Sequence, residues 1–133
     1  MATNEELIKH WHDSSDENFD IMMYLFTGGK YTFALYVGHL VLEKLFKALY
    51  IKVTQDPIPP YIHNLNILAQ RCNLEISPDI IEKLGIINSF NTETRYEDIK
   101  REIYARCTKE YTTEQIDIIK GAREWLKTEL TKE

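Results

Sequence analysis

At 133 residues, 44% of them hydrophobic, the chain is long enough for a single domain spanning 1–133 that buries a conventional core without disulfides or a metal. Two cysteines, Cys72 and Cys107, are too few and too unpatterned for a secreted disulfide scaffold or a zinc site, and they read as small buried hydrophobes in a reducing cytoplasm. The net charge of −5 arises entirely in residues 1–29, where Glu5, Glu6, Asp13, Asp16, Glu17 and Asp20 face Lys9 alone, so binding of nucleic acid by bulk electrostatics is excluded.

Glu5 and Glu6 stand where a signal peptide needs a basic and then an apolar run. No window approaches the length of apolar chain that crosses a bilayer, about 18 residues or more. A soluble cytoplasmic protein without a membrane partner is therefore expected.

The first element opens with Thr3 and Glu6 at the spacing of a capping box. Leu7, Ile8, Trp11, Met22, Leu25 and Phe26 carry an apolar stripe to Gly28 and Gly29, and the acidic residues lie off it on what reads as a solvated face. A helix of about 23 residues follows from that pattern. Gly28 and Gly29 supply its stop and the turn into the next element. They lack the spacing of a phosphate loop.

From Tyr31 to Val53 the chain is apolar almost all the way round, as expected of a helix buried in its own domain. At about 100° per residue, Thr32, Tyr36, His39, Glu43 and Lys47 share a sector of roughly 80°, and Lys44 lies about 60° beyond Lys47. This polar seam reads either as the line where the rod meets water, held by the Glu43 and Lys47 i,i+4 pair, or as a stripe facing a ligand or partner.

Pro57, Pro59 and Pro60 then exclude a helix and mark a surface loop. His63 and Asn64 open a short third helix that buries Leu65, Leu68, Ala69 and Cys72 and ends near Asn73. Ser77 and Pro78 pair an N-cap with a proline at the first helical position, starting a fourth helix expected to run to about Tyr96. Residues 97–111 read as an ordered loop with a helical turn. Thr112 and Thr113 are the expected cap of a last helix carrying Ile116, Ile119, Ala122, Leu126 and Leu130. Nothing alternates with the period of a strand, so the expected fold class is all-α, an up-and-down bundle of four longer helices plus a short one.

Other histidine groupings offer little. His10 and His12 lie about 200° apart on a helix and cannot share a metal, and His12 with Asp16 makes only a pair, so no metal or other cofactor is expected. Tyr24, Tyr31, Tyr50, Tyr61, Tyr104 and Tyr111 are scattered, as amphipathic burial at helix ends would leave them.

Three pieces stand in order along this helical pattern: Glu43-Lys44-Leu45-Phe46-Lys47-Ala48, then His63-Asn64-Leu65-Asn66-Ile67-Leu68 beyond the prolines, then Arg95-Tyr96. Together they resemble the HEPN domain family, whose members carry E-K-x-x-K-A, H-x-L-x-x-L and R-Y in this order. The resemblance runs from Trp11 to about Trp125. Glu97 stands where the family usually has proline after R-Y. Ribonucleases of the family carry an Arg followed four to six residues later by His, acting across a dimer interface. Here Arg71, Arg95, Arg101, Arg106 and Arg123 all follow the last histidine, His63, so the resemblance implies the fold without that catalytic pair.

If the fold brings the seam to the Arg95 and Tyr96 end, as the resemblance implies, then Tyr36, His39, Glu43, Lys44, Lys47, His63, Arg95 and Tyr96 surround a site for a nucleotide or another phosphate-bearing ligand. Arg offers a planar fork, Lys a mobile charge, and tyrosine an aromatic face. A structural ion-pair network among Glu43, Lys47 and Arg95 is the competing reading. The resemblance further implies a homodimer and a nucleotidyltransferase partner in a toxin and antitoxin pair. No catalytic residue is expected in this reading. The alternatives are RNA cleavage by a substituted pair, His63 with Arg95, and a purely structural bundle.

Overall fold

The computed structural model describes residues 1–91 and 105–132. Helix α1, Asn4–Thr27, begins where its local chemistry dictates: the Thr3 hydroxyl accepts the Glu6 N–H at 3.1 Å and the Glu6 carboxylate accepts the Thr3 N–H at 3.2 Å. Gly29, at φ 78°, makes the turn that reverses the chain. Helix α2, Tyr31–Thr54, runs back along α1 and ends with Gln55 in the left-handed conformation, φ 61°.

Helix α3, Leu65–Arg71, is capped by Asn64, whose side chain accepts the N–H groups of Asn66 and Ile67. Helix α4, Pro78–Asn88, starts at the Ser77 and Pro78 signal, with the Ser77 hydroxyl accepting the Ile80 N–H at 3.2 Å. Its α-helical hydrogen bonding stops earlier than the expected Tyr96. A 3-10 turn, Ser89–Asn91, takes over. The Ser89 hydroxyl donates to the Ile86 carbonyl at 2.5 Å, a local bond that competes with the ladder. The rest of the expected extension lies outside the described residues.

Helix α5, Lys109–Thr131, begins before the expected Thr112 and Thr113 cap. Thr108 is the cap, its hydroxyl accepting the Tyr111 N–H at 3.1 Å, while Thr112 is fully buried and Thr113 bonds back to the Lys109 carbonyl. Three threonines offered the same capping chemistry. Packing of Tyr111 edge-on against Phe90, centroids 6.3 Å apart, draws the earlier turn into the helix.

Helix α2 is the spine, touching α1, α3, α4 and α5. Leu35, Leu42, Leu45, Phe46 and Leu49 meet Met22 of α1, Leu65 and Leu68 of α3, Leu84 and Ile87 of α4, and Ile116, Ile119 and Leu126 of α5 in one core. At Gly38 three helices close in. A Cβ there would stand 2.5 Å from the Ile119 Cδ1 and 3.0 Å from the Met22 Sδ. Lys52 donates to the carbonyls of Glu129, Leu130 and Lys132, which ties the C-terminal end of α5 to α2. The described residues contain no strand, and no helix among them is long and apolar enough to cross a membrane.

Candidate functional site

From His39 to Lys47 the polar seam of α2 does not meet water, although Tyr36 at its start is exposed. His39 is fully buried, and Glu43 and Lys47 are 5% and 6% exposed. A carboxylate and an ammonium in that setting need close partners. Glu43 supplies most of them: its Oε2 accepts from the Lys47 Nζ at 3.1 Å, and its Oε1 accepts from the His63 Nδ1 at 2.9 Å. His63 arrives from a distant part of the sequence, at the end of the proline loop. Its backbone carbonyl accepts from the His39 Nε2 at 2.8 Å.

The loop that delivers His63 is held at both ends. At its start Asp56 takes the Tyr50 hydroxyl at 3.3 Å and the Ile58 N–H at 2.9 Å, and the Thr54 hydroxyl accepts the Asp56 N–H. At its far end Asn88 of α4 accepts the Leu65 N–H at 2.8 Å and donates to the Asn64 side chain at 3.2 Å. Between these anchors Ile58 is 76% exposed and Tyr61 89% exposed.

Tyr61 and Trp11 complete the surroundings of Lys47. Its ammonium lies 5.5 Å from the Trp11 ring centroid and 5.9 Å from that of Tyr61, and the Tyr61 ring stands edge-on to His63 at 5.1 Å. Aromatic faces attract a cation whose water has been removed. The His63 ring is about half exposed, so one edge is bound to Glu43 while the ring still reaches solvent.

His39 differs from its neighbour. Burial holds its pKa below the ordinary histidine value, against the opposing pull of the Glu43 carboxylate and the bond to the His63 carbonyl. Facing a carbonyl, Nε2 carries the proton. The His39 Nδ1 then has no hydrogen-bond partner and lies 3.8 Å from the Glu43 Oε1, the same oxygen that His63 occupies.

Of the residues expected to form the site, His39, Glu43, Lys47 and His63 come together. Lys44 does not join them: its ammonium donates to the Ser14 hydroxyl of α1 at 2.6 Å. Tyr36 lies on the surface at 37% exposure. Arg95 and Tyr96 fall outside the described residues. Trp11 and Tyr61 were not expected. The EKxxKA spacing names Lys47 but is silent on what covers it, and only the helix period, which puts Trp11 on the apolar stripe of α1, hinted that its ring faced inward.

Other reactive groups are committed to structure. The Cys72 thiol is pushed up to about 12 by burial and donates to the Phe46 carbonyl, and burial also raises Cys107. His12, Asp13 and Asp16 offer ligand atoms within 4.8 Å of one another. However, Lys9 already pairs with Asp13, while Arg123 and Lys127 reach Asp16 at 3.1 and 2.8 Å. Two carboxylates already met by three cations are poor ligands for a divalent ion.

No curated protein and no solved structure is significantly similar to the chain. The family model of the HEPN domain matches residues 8–130. That span takes in α2, α3 and α4 whole and all but the ends of α1 and α5, together with the EKxxKA and HNLNIL segments that meet at Glu43, and the chain belongs to the HEPN domain family.

Proposed function

We propose that this protein is a non-catalytic binding and interaction module, a homodimer that takes a nucleotide or another phosphate-bearing ligand and docks a nucleotidyltransferase partner in a toxin and antitoxin pair. The observation that carries the ligand reading is the exposed Tyr61 ring beside His63, with the buried Lys47 ammonium behind it. An exposed aromatic face on a loop anchored at both ends suits a nucleobase, because stacking needs a ring that costs little to order. Lys47, already neutralised by Glu43, shapes the platform without binding phosphate directly. In this reading the family resemblance assigns the phosphate to Arg95, as a planar fork.

Thermal melting with added nucleoside mono-, di- and triphosphates tests the ligand, since only a ligand that binds the folded state raises the melting temperature. A rise in wild type that disappears in Tyr61→Ala supports the reading. Melting curves that no nucleotide moves would retire it. Light scattering at tens of micromolar tests the dimer, and a strict monomer would count against it.

One observation favours RNA cleavage as a second reading. Glu43 holds His63 by Nδ1, which leaves Nε2 as the basic nitrogen of a half-exposed imidazole. Cleavage of single-stranded RNA, lost in both His63→Ala and Arg95→Ala, would promote this reading over the first.

A further inference from the structure

Two imidazoles, one buried and one half exposed, compete for one carboxylate oxygen of Glu43. The Nδ1 of His63 is 2.9 Å from the Glu43 Oε1 and that of His39 is 3.8 Å from it. His63 is half exposed, whereas His39 is fully buried and its Nδ1 has no partner. Among the described residues, the groups facing His39 are Glu43 on its own helix, with Lys47 on the far carboxylate oxygen, the His63 ring and carbonyl from the incoming loop, and the Asn88 side chain from α4.

We propose that His39 is a proton-operated switch for the chain from Tyr61 to Leu65, holding it at the His63 carbonyl in both charge states and drawing Glu43 away from the His63 ring when charged. The proton comes from water to the His39 Nδ1 lone pair. Glu43 Oε1 then accepts from His39 in place of His63. The direction of the exchange follows from solvent access. A charged His63 can be hydrated at the surface, but a charged His39 has no water and must take the nearest carboxylate. Losing Glu43 frees the His63 ring and, with it, the edge-on contact that steadies Tyr61. Acid thus frees the His63 and Tyr61 rings while the His63 carbonyl stays held by His39 and the helical core stays packed.

This regulation bears on the ligand platform proposed above, but its test uses the ligand-free protein, so failure to bind nucleotide and failure of the switch are separate results. Imidazole and amide NMR signals are followed from about pH 8 to about pH 4.5, the range that spans histidine titration. The expected result is that the amides of Tyr61, Ile62 and His63 shift with the midpoint of His39 and not with that of His63, at pH values where near-ultraviolet circular dichroism still reports a packed core. In His39→Gln, which keeps an N–H for the His63 carbonyl but cannot titrate, those shifts should vanish. If that variant does not fold, the coincidence of midpoints in wild type carries the test. The proposal is overturned if the loop amides follow His63, if they stay still while His39 titrates, if they still titrate in His39→Gln, or if His39 gains its proton only as the whole protein unfolds.

Discussion

Two charged clusters tie helices together here, and they differ in their access to water. In the first, Glu43, Lys47, His39 and His63 join α2 to the proline loop beneath a covering of Trp11 and Tyr61. In the second, Asp16 of α1 takes Arg123 and Lys127 of α5 with its carboxylate 38% exposed, and the Arg123 guanidinium lies 3.9 Å from the Phe19 ring centroid. Partial burial pushes the Asp16 carboxyl up, yet Lys127 and Arg123 together outweigh it and hold it below the ordinary carboxylate range. Similar ions serve both places, but in one of them water can replace a lost partner. Burial, more than the number of ion pairs, decides what each cluster contributes.

The sharpest way to break the comparison is Glu43→Ala, which strands Lys47 in the interior. A loss of about 3–5 kcal/mol by urea denaturation is expected, the range for removing one member of a buried pair. A loss below about 1 kcal/mol, typical of a surface pair, would mean the Glu43 cluster is hydrated and no different from the Asp16 cluster. Gly38→Ala comes next. Its Cβ would press on Ile119 and Met22, and overpacking of this kind costs about 1–3 kcal/mol, readable as an earlier urea midpoint with unchanged slope.

The pH dependence separates the clusters further. Because the folded pKa of His39 lies below its ordinary value of 6.5, its contribution to stability is complete above that value. As pH falls, the unfolded chain takes up a proton that the folded chain resists, and stability declines until the lower folded pKa has been passed. The urea midpoint of wild type should therefore start to fall as pH drops through about 6.5, and His39→Gln should flatten that portion of the curve. The Asp16 cluster runs in the same sense but at lower pH, from the carboxylate value of 3.8 downward. The smallest effects belong at the surface. Asp16→Asn should cost about 0–1 kcal/mol and respond to salt. Lys9→Ala, which removes an i,i+4 pair with Asp13 that is open to solvent, should leave the melting temperature unmoved.

Much of this was legible because it is local. Thr3 with Glu6, the two glycines, Asn64, and Ser77 with Pro78 each mark a helix end through groups within a few residues, so their spacing suffices. The seam was legible in the same way, since a helical period alone puts His39, Glu43 and Lys47 on one side of α2. Where local chemistry was degenerate it misled: Thr108 and Thr112 cap equally well on paper, and packing of Tyr111 on Phe90 favours the earlier one. Helix α4 likewise leaves its α-helical path at Ser89, where a side-chain bond competes with the ladder.

By itself, then, the order of residues determined the helices, the line of polar side chains along α2 and the kinship to a family, because each depends on chemistry repeated within a few turns of backbone. Only the tertiary structure decided that the line is buried from His39 to Lys47, that Lys44 turns to Ser14 while Lys47 turns to Glu43, and that Trp11, Tyr61 and His63 gather there. Those outcomes depend on which distant segment covers which face. Burial is a property of the covering segment as much as of the residue covered, and a helical period carries no information about it.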